Sequence, residues 1–497
     1  MNEYVRSISS NPLKALIGIS VLALCGLLLV FTDSWTVLRL MMGFAALWFL
    51  LRRPELALAI QFNGVALYLY VIYKLQVETS TVGTGTFYGV MALAYLAGGW
   101  HLAMGRRFLK FNGIDGLFIL LYSLFFVSYV MFSQDNLEAY RKVYYAPLLV
   151  IAPYFGLQLL SSSDQVRRFF NYCASLAVIM VLPSFYELLA NPLYLDYGRF
   201  SIFIFAGKGD NPIQFGIAFA MLLMVLLFHI AEQRKIKLWH IVLILPAVYL
   251  LVRSGARGPL ISFVVVLVTY VVWLSGMHIR RRWLMICGVG TLLVAALVLV
   301  PSNTFDMYQA LVDPSIASSR DPSANSIQER IILMDLAIKE FLEHPLFGVG
   351  TGNSSGGIGY PHNAWVEVAA EFGIVGLLIF TTLCVVVIAT ALKYLRGARQ
   401  GRNDWLMNLA FAFFIFAWVE ALFSAYMGGD ILLYGSMGMV SIIAKLTEQE
   451  ARERAQGGER SHRQKMTTET YGESAMPPYG IWPEGARFAT GSETDLK

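Results

Sequence analysis

The chain has 497 residues, 57% of them hydrophobic and 14% charged, with a mean hydropathy of +0.59. A soluble globule carries nearer a quarter of its residues as charges, so this composition excludes one and points to a polytopic membrane protein. The formal charge of +5 reflects basic residues between apolar runs, which orient a membrane protein and do not imply nucleic acid as a partner.

Apolar runs long enough to cross about 30 Å of hydrocarbon fall near 15–31, 37–51, 55–74, 86–104, 114–133, 143–160, 168–189, 213–231, 238–252, 259–276, 282–300, 364–392, 405–424 and 429–446. Alternating eight-to-ten-residue strands are absent, which removes a barrel. The reading is an all-α bundle of about 12–14 transmembrane helices; the shortest runs, 37–51 and 238–252, leave twelve open. The first run is followed by Thr32-Asp33-Ser34-Trp35 and not by a small-x-small cleavage site, so it counts as a span. Cys25, Cys173, Cys287 and Cys384 each sit in an apolar run without CxxC spacing, giving neither a disulfide framework nor a metal site, and nothing calls for a cofactor.

Six basic loops (Arg52-Arg53; Arg106-Arg107 with Lys110; Arg167-Arg168; Arg234-Lys235 with Lys237; Arg280 to Arg282; Lys393 to Arg402) land on one side. By the positive-inside rule that side is cytoplasmic, with both termini on it. The opposite side receives 190–212, the tight turn Arg253 to Gly258, and the large loop 301–362. Residues 1–446 form the membrane domain. The stretch 447–497 is polar and rich in Gly, Pro, Ser and Thr, and reads as a disordered cytoplasmic tail.

The region 199–214 carries Lys208, Asp210 and Asn211, either as a loop tip or as substrate contacts. Arg253-Ser254-Gly255-Ala256-Arg257 joins two spans so tightly that both guanidiniums lie at the membrane interface. They snorkel there, or they bind phosphate through their planar fork. In the large loop, Ser326-Ile327-Gln328-Glu329 is a capping box that predicts a helix from Ser326 to about Glu343. Ile327, Ile331, Met334, Ile338 and Phe341 share an arc of roughly 80° that lies on the bundle or the membrane, with Arg330 at its edge.

Next comes Gly348-Val349-Gly350-Thr351-Gly352-Asn353, which lacks the preceding strand of a nucleotide fingerprint. It reads as a mobile cover, a tight turn or an anion-binding nest. Pro361-His362-Asn363 leads into an apolar helix of membrane length whose first turns carry Glu367 and Glu371, carboxylates that need partners. His362 is a structural hydrogen bonder or a base.

LVRSGARGPLISF, HPLFGVGTGN and PHNAWVEVAAEFGIVGLL, in that order, resemble the O-antigen ligase and polymerase superfamily over a region of about 199–392. The resemblance implies a bacterial inner-membrane enzyme of O-antigen, lipopolysaccharide or exopolysaccharide assembly. Such an enzyme transfers a glycan, without a metal, from an undecaprenyl-diphosphate carrier to an acceptor hydroxyl outside the cytoplasm. The acceptor is a growing glycan, lipid A core or another hydroxyl, and other polysaccharide-assembly proteins are possible partners. By correspondence His362 is the catalytic residue and Arg257 and Arg330 bind diphosphate; the reading of the residues adds Arg253, Asn363, Lys208 and Asn211 as further candidate contacts. A fourteen-span transporter or flippase of lipid-linked sugars is the alternative. Transporters usually carry their ionisable residues at mid-membrane, whereas here they gather on one face.

Overall fold

The computed structural model describes residues 50, 52–63, 96–104, 110–133, 136–190, 212–233, 236–270, 290, 322–357, 359–397, 404–424 and 427–472. Among them every regular element is helical: α1 Pro54–Phe62, α2 Gly113–Phe132, α3 Leu137–Ala146, α4 Ala152–Leu157, α5 Ser163–Ala190, α6 Pro212–Gln233, α7 Leu238–Arg253, α8 Arg257–Thr269, α9 Pro322–Glu343, α10 Ala364–Gly397, α11 Asp404–Glu420 and α12 Ile431–Gly472. Five of the described helices are long and apolar enough to cross a membrane: α2, α5, α6, α10 and α12. α7, α8 and α11 are apolar but shorter. The protein is an all-α polytopic bundle. The expected spans 15–31, 37–51 and 282–300 lie outside the described residues save for single positions, and 55–74 and 86–104 are described only in part.

The expected span 143–160 is not one straight helix. A π turn, Pro147–Ile151, links α3 to α4, because Pro147 and Pro153 cannot donate to the helical ladder and the widened turn absorbs the mismatch. α12 likewise runs to Gly472, into the polar stretch that composition alone leaves without a fold. Past Leu446 the chain forms a second compact unit, whose helix carries the pairs Arg452–Glu448 and Arg454–Glu450 at i,i+4 spacing.

α6 and the membrane-length part of α12 lie deepest, whereas α2, α5 and α10 keep exposed apolar faces, as helices do where a bundle meets lipid. α2 packs on α10, α8 on α11, and α6 on both α5 and α7. α6 and α8 approach closely at Gly216, where a side chain would strike Ala256 and Pro259.

Buried polar groups pin each end of α2. At its start Asn112 caps the helix through Ile114 and Asp115, while Asp115 accepts bonds from Tyr154 at 2.8 Å and Ser441 at 2.9 Å and pairs with Lys445 at 2.6 Å. Near its other end the glycine segment docks: the Thr351 hydroxyl donates to the Phe125 carbonyl at 2.8 Å, and Asn353 donates to Ser133 at 3.0 Å.

α10 itself is broken. Gly373 has φ 61° and ψ −157°, a backbone state essentially reserved for glycine. The 345–350 segment takes up the freed backbone groups: Ile374 N–H donates to the Pro345 carbonyl at 2.8 Å, and the N–H groups of Val349 and Gly350 donate to Ala370 and Glu371 at 2.9 and 3.0 Å. The piece from Ile374 to Leu395 is about 33 Å long at about 1.5 Å per residue, enough to span alone. Residues 364–372 are a separate half-helix, which corrects the expectation of one continuous helix from Asn363.

Glu367 and Glu371 lie on that half-helix, wholly buried, and both pair with Lys142 of α3, itself wholly buried. Ser354 donates to Glu371 at 2.8 Å and Met427 N–H to Glu367 at 3.1 Å. These carboxylates hold α3 to α10. Removing one partner of a buried ion cluster typically costs about 3–5 kcal/mol. Lys142→Met should therefore lower the thermal transition of the purified protein sharply, and adding Glu367→Gln and Glu371→Gln should recover most of the loss. An unchanged transition in Lys142→Met would show that the cluster does not hold the fold.

Candidate functional site

The site is organised by residues 420–424, the last residue of α11 and the turn after it. Asn363 caps α10 by accepting from the N–H groups of Trp365 and Val366 at 3.0 and 3.2 Å, and its amide donates to the Leu422 carbonyl at 3.3 Å. Ala364 N–H donates to the Ala421 carbonyl at 2.9 Å. Arg330, from α9, donates through Nη1 to the Phe423 carbonyl at 3.1 Å. Glu420, only 4% exposed, lies so close to Gly258 at the start of α8 that a side chain there would force its carboxylate to move. It accepts a bond from Ser424 and another, at 3.4 Å, from Ser262.

His362 stands at the mouth of this cluster. Its φ of 55° is a left-handed conformation uncommon for any residue but glycine, and its ring lies 4.2 Å from that of Tyr360. Its Nδ1 and the Nε of Arg330 are buried without a hydrogen-bond partner in the protein. Burial, helped by the positive charge of Arg330, lowers the imidazole to about 4, so it is neutral across the physiological range.

The structure thus gathers Arg330, His362 and the α8 start, where Arg257 is half-buried, around one segment. Arg253 closes α7 on the far side of the turn and is wholly buried. Asn363 is committed to capping, with its oxygen and its amide both engaged. Lys208 and Asn211 lie outside the described residues.

The glycine segment is not an anion nest. The N–H groups of Gly348, Val349, Gly350, Thr351 and Asn353 are bonded to His344, Ala370, Glu371, Ser128 and Gly350 respectively, which leaves them none to offer a phosphate. Its glycines serve close approach: a side chain on Gly348 would strike the backbone of Glu371, and one on Gly352 that of Ala139.

α9 begins at Pro322, one turn before the predicted capping box. It packs through Leu333 and Ala337, with Glu340 half-buried beside them, and not through the predicted isoleucine arc. Glu340 accepts from the N–H groups of Ser355 at 2.7 Å and Gly356 at 2.6 Å, and burial raises its carboxyl above the ordinary range. Glu420 was legible in principle, since FAWVEALF places a carboxylate in an apolar run as plainly as Glu367 does.

Residues 241–381 match the O-antigen ligase family. The match spans under a third of the chain, lies inside the expected 199–392, and contains Arg253, Arg257, Arg330, His362 and Asn363 while ending within α10. It supports the superfamily to which the glycine and PHNAW motifs point, and with it polysaccharide assembly of the ligase or polymerase type. No curated protein matches the chain. Among solved structures, a chain described for the structural coordination of polymerization and crosslinking by a peptidoglycan synthase complex aligns over 67% of this chain and 97% of its own. The identity is 18% and the TM-score 0.38, too loose a likeness to carry an argument.

The contact between Gly258 and Glu420 makes a direct prediction. Overpacking typically costs about 1–3 kcal/mol, so Gly258→Ala should lower the thermal transition, and Gly258→Ala combined with Glu420→Ala should restore part of it. A Gly258→Ala protein as stable as the parent would mean that the Glu420 carboxylate is not held against the α8 start.

Proposed function

We propose that the protein transfers a glycan from an undecaprenyl-diphosphate carrier to an acceptor hydroxyl at the extracytoplasmic face of the bacterial inner membrane, as a polysaccharide polymerase or ligase. One observation supports this reading: the buried Nε of Arg330 and Nδ1 of His362, each without a partner in the protein, belong to residues held beside the 420–424 segment, whose Glu420 meets the α8 start next to Arg257. Leaving buried polar groups unpaired costs about 1–3 kcal/mol each, a cost that a ligand at this position would relieve.

In the reaction, an imidazole nitrogen of His362 takes the proton of the acceptor hydroxyl as its oxygen bonds to the anomeric carbon. The bond from that carbon to the diphosphate oxygen breaks, and the diphosphate leaves with the electron pair. Arg257 and Arg330 hold the growing negative charge in a water-poor site, where fixed charges act most strongly. An imidazole lowered to about 4 is a weak base in the empty site. The anionic diphosphate offsets the charge of Arg330 and raises the imidazole again, so donor binding prepares the base.

Two sets of measurements test this. The acidic limb of kcat/KM, which reports the free enzyme, should lie near 4, and that of kcat, which reports the donor-bound enzyme, should lie higher. His362→Ala, at parental protein levels and donor binding, should slow transfer by about 10²–10⁴. Arg257→Lys and Arg330→Lys should each impair transfer although charge is kept, because the bidentate fork is lost. Parental rates in all three variants would rule the reading out.

A further inference from the structure

α9 divides into three sectors. Arg330, Leu333, Ala337 and Glu340 share a sector of about 80° that packs on the protein. Ile331, Ile338 and Leu342 are 54%, 42% and 69% exposed, although they are large and apolar. They fall within about 40° of one another, beside the packed sector. Asp335, Lys339 and Glu343, all exposed, make the next sector, with Ile332 among them. A helix with one flank apolar and bare, the next charged and the back packed has the form of an element seated in a membrane interface.

The apolar flank continues into the lipid-facing side of the bundle. Leu346 and Phe347, just past α9, are 63% and 61% exposed. Their turn is fastened to the start of the spanning piece of α10 by bonds from Ile374 N–H to Pro345 and from Val375 N–H to Leu346. On that piece Ile374, Leu378 and Val385 are bare as well. The bare apolar residues of α10 thus begin where the exposed Leu346–Phe347 turn is fastened, and Leu342 and Ile338 lie just before that turn on α9.

We propose that α9 docks on the bilayer leaflet at the site's end of the bundle through Ile331, Ile338 and Leu342, with Leu346 and Phe347 deepest. The membrane surface thereby sets the height of Arg330, the neighbour of Ile331 in sequence. The exposed charges of α9 are mostly acidic, so apolar burial and not attraction to anionic headgroups drives the docking. The inference concerns a surface and does not depend on the catalytic reading.

The test uses the full chain with its four cysteines replaced and single cysteines introduced by Leu342→Cys or Lys339→Cys, each carrying an environment-sensitive nitrobenzoxadiazole label, in zwitterionic proteoliposomes. The label at 342 should emit to the blue of that at 339. It should be quenched several-fold more by lipids spin-labelled near the headgroup end of the acyl chain, and be shielded from aqueous iodide. Adding anionic lipid should leave this contrast intact. Equal iodide quenching at the two positions would overturn the proposal. So would shielding of 342 from both quenchers that weakens on dilution of the protein in the bilayer, which would assign the stripe to a second copy of the chain.

Discussion

A helix crossing a membrane cannot be broken unless something else takes up the backbone groups it releases, because hydrocarbon offers no hydrogen bonds. At Gly373 that something is the segment 345–350, whose carbonyl and N–H groups bond directly across the break. The exchange fixes the half-helix 364–372 to the glycine segment, and Lys142 locks the same half-helix to α3 through two buried carboxylates. His362 and Asn363 stand at the head of that half-helix. Their position is inherited from the repair of the break, as is that of α9, which Glu340 ties to the far end of the glycine segment.

Onto this platform the 420–424 segment brings a second set of groups from α8 and α11. Carbonyls of Leu422 and Phe423 accept from Asn363 and Arg330, while Glu420 lies against Gly258 and its two serine donors. The result brings the half-buried Arg330 and the α8 start with Arg257 near one segment, with a neutral imidazole beside them. Arginine suits the role because it remains charged when partly desolvated, and histidine because desolvation keeps it neutral and able to accept a proton.

Much of this was legible from the residues. Membrane-length apolar runs gave α2, α5, α6 and α10 to within a few residues, since hydrophobic length is a strong constraint in lipid. Arg330 stood out as a charge at the edge of an apolar arc, and His362 by its place between a glycine segment and a span. Three things were not legible. The break at Gly373 looks like any glycine in a span until the backbone that fills it is known. The glycine segment has the composition of an anion nest, and only its hydrogen bonds show that the protein consumes its donors. The packed face of α9 follows Leu333 and Ala337 and not the stripe of largest side chains, because hydropathy cannot tell a face that meets protein from one that meets lipid.

The central claim is that Arg257, Arg330 and His362 serve one diphosphate-linked donor. The most direct measurement is an experimental structure of the full chain in a lipid nanodisc with undecaprenyl diphosphate bound. The account predicts two phosphates held between the guanidiniums of Arg257 and Arg330, with His362 facing the side from which a hydroxyl would approach. A diphosphate held elsewhere in the bundle, with both arginines and His362 unmoved and untouched, would contradict it.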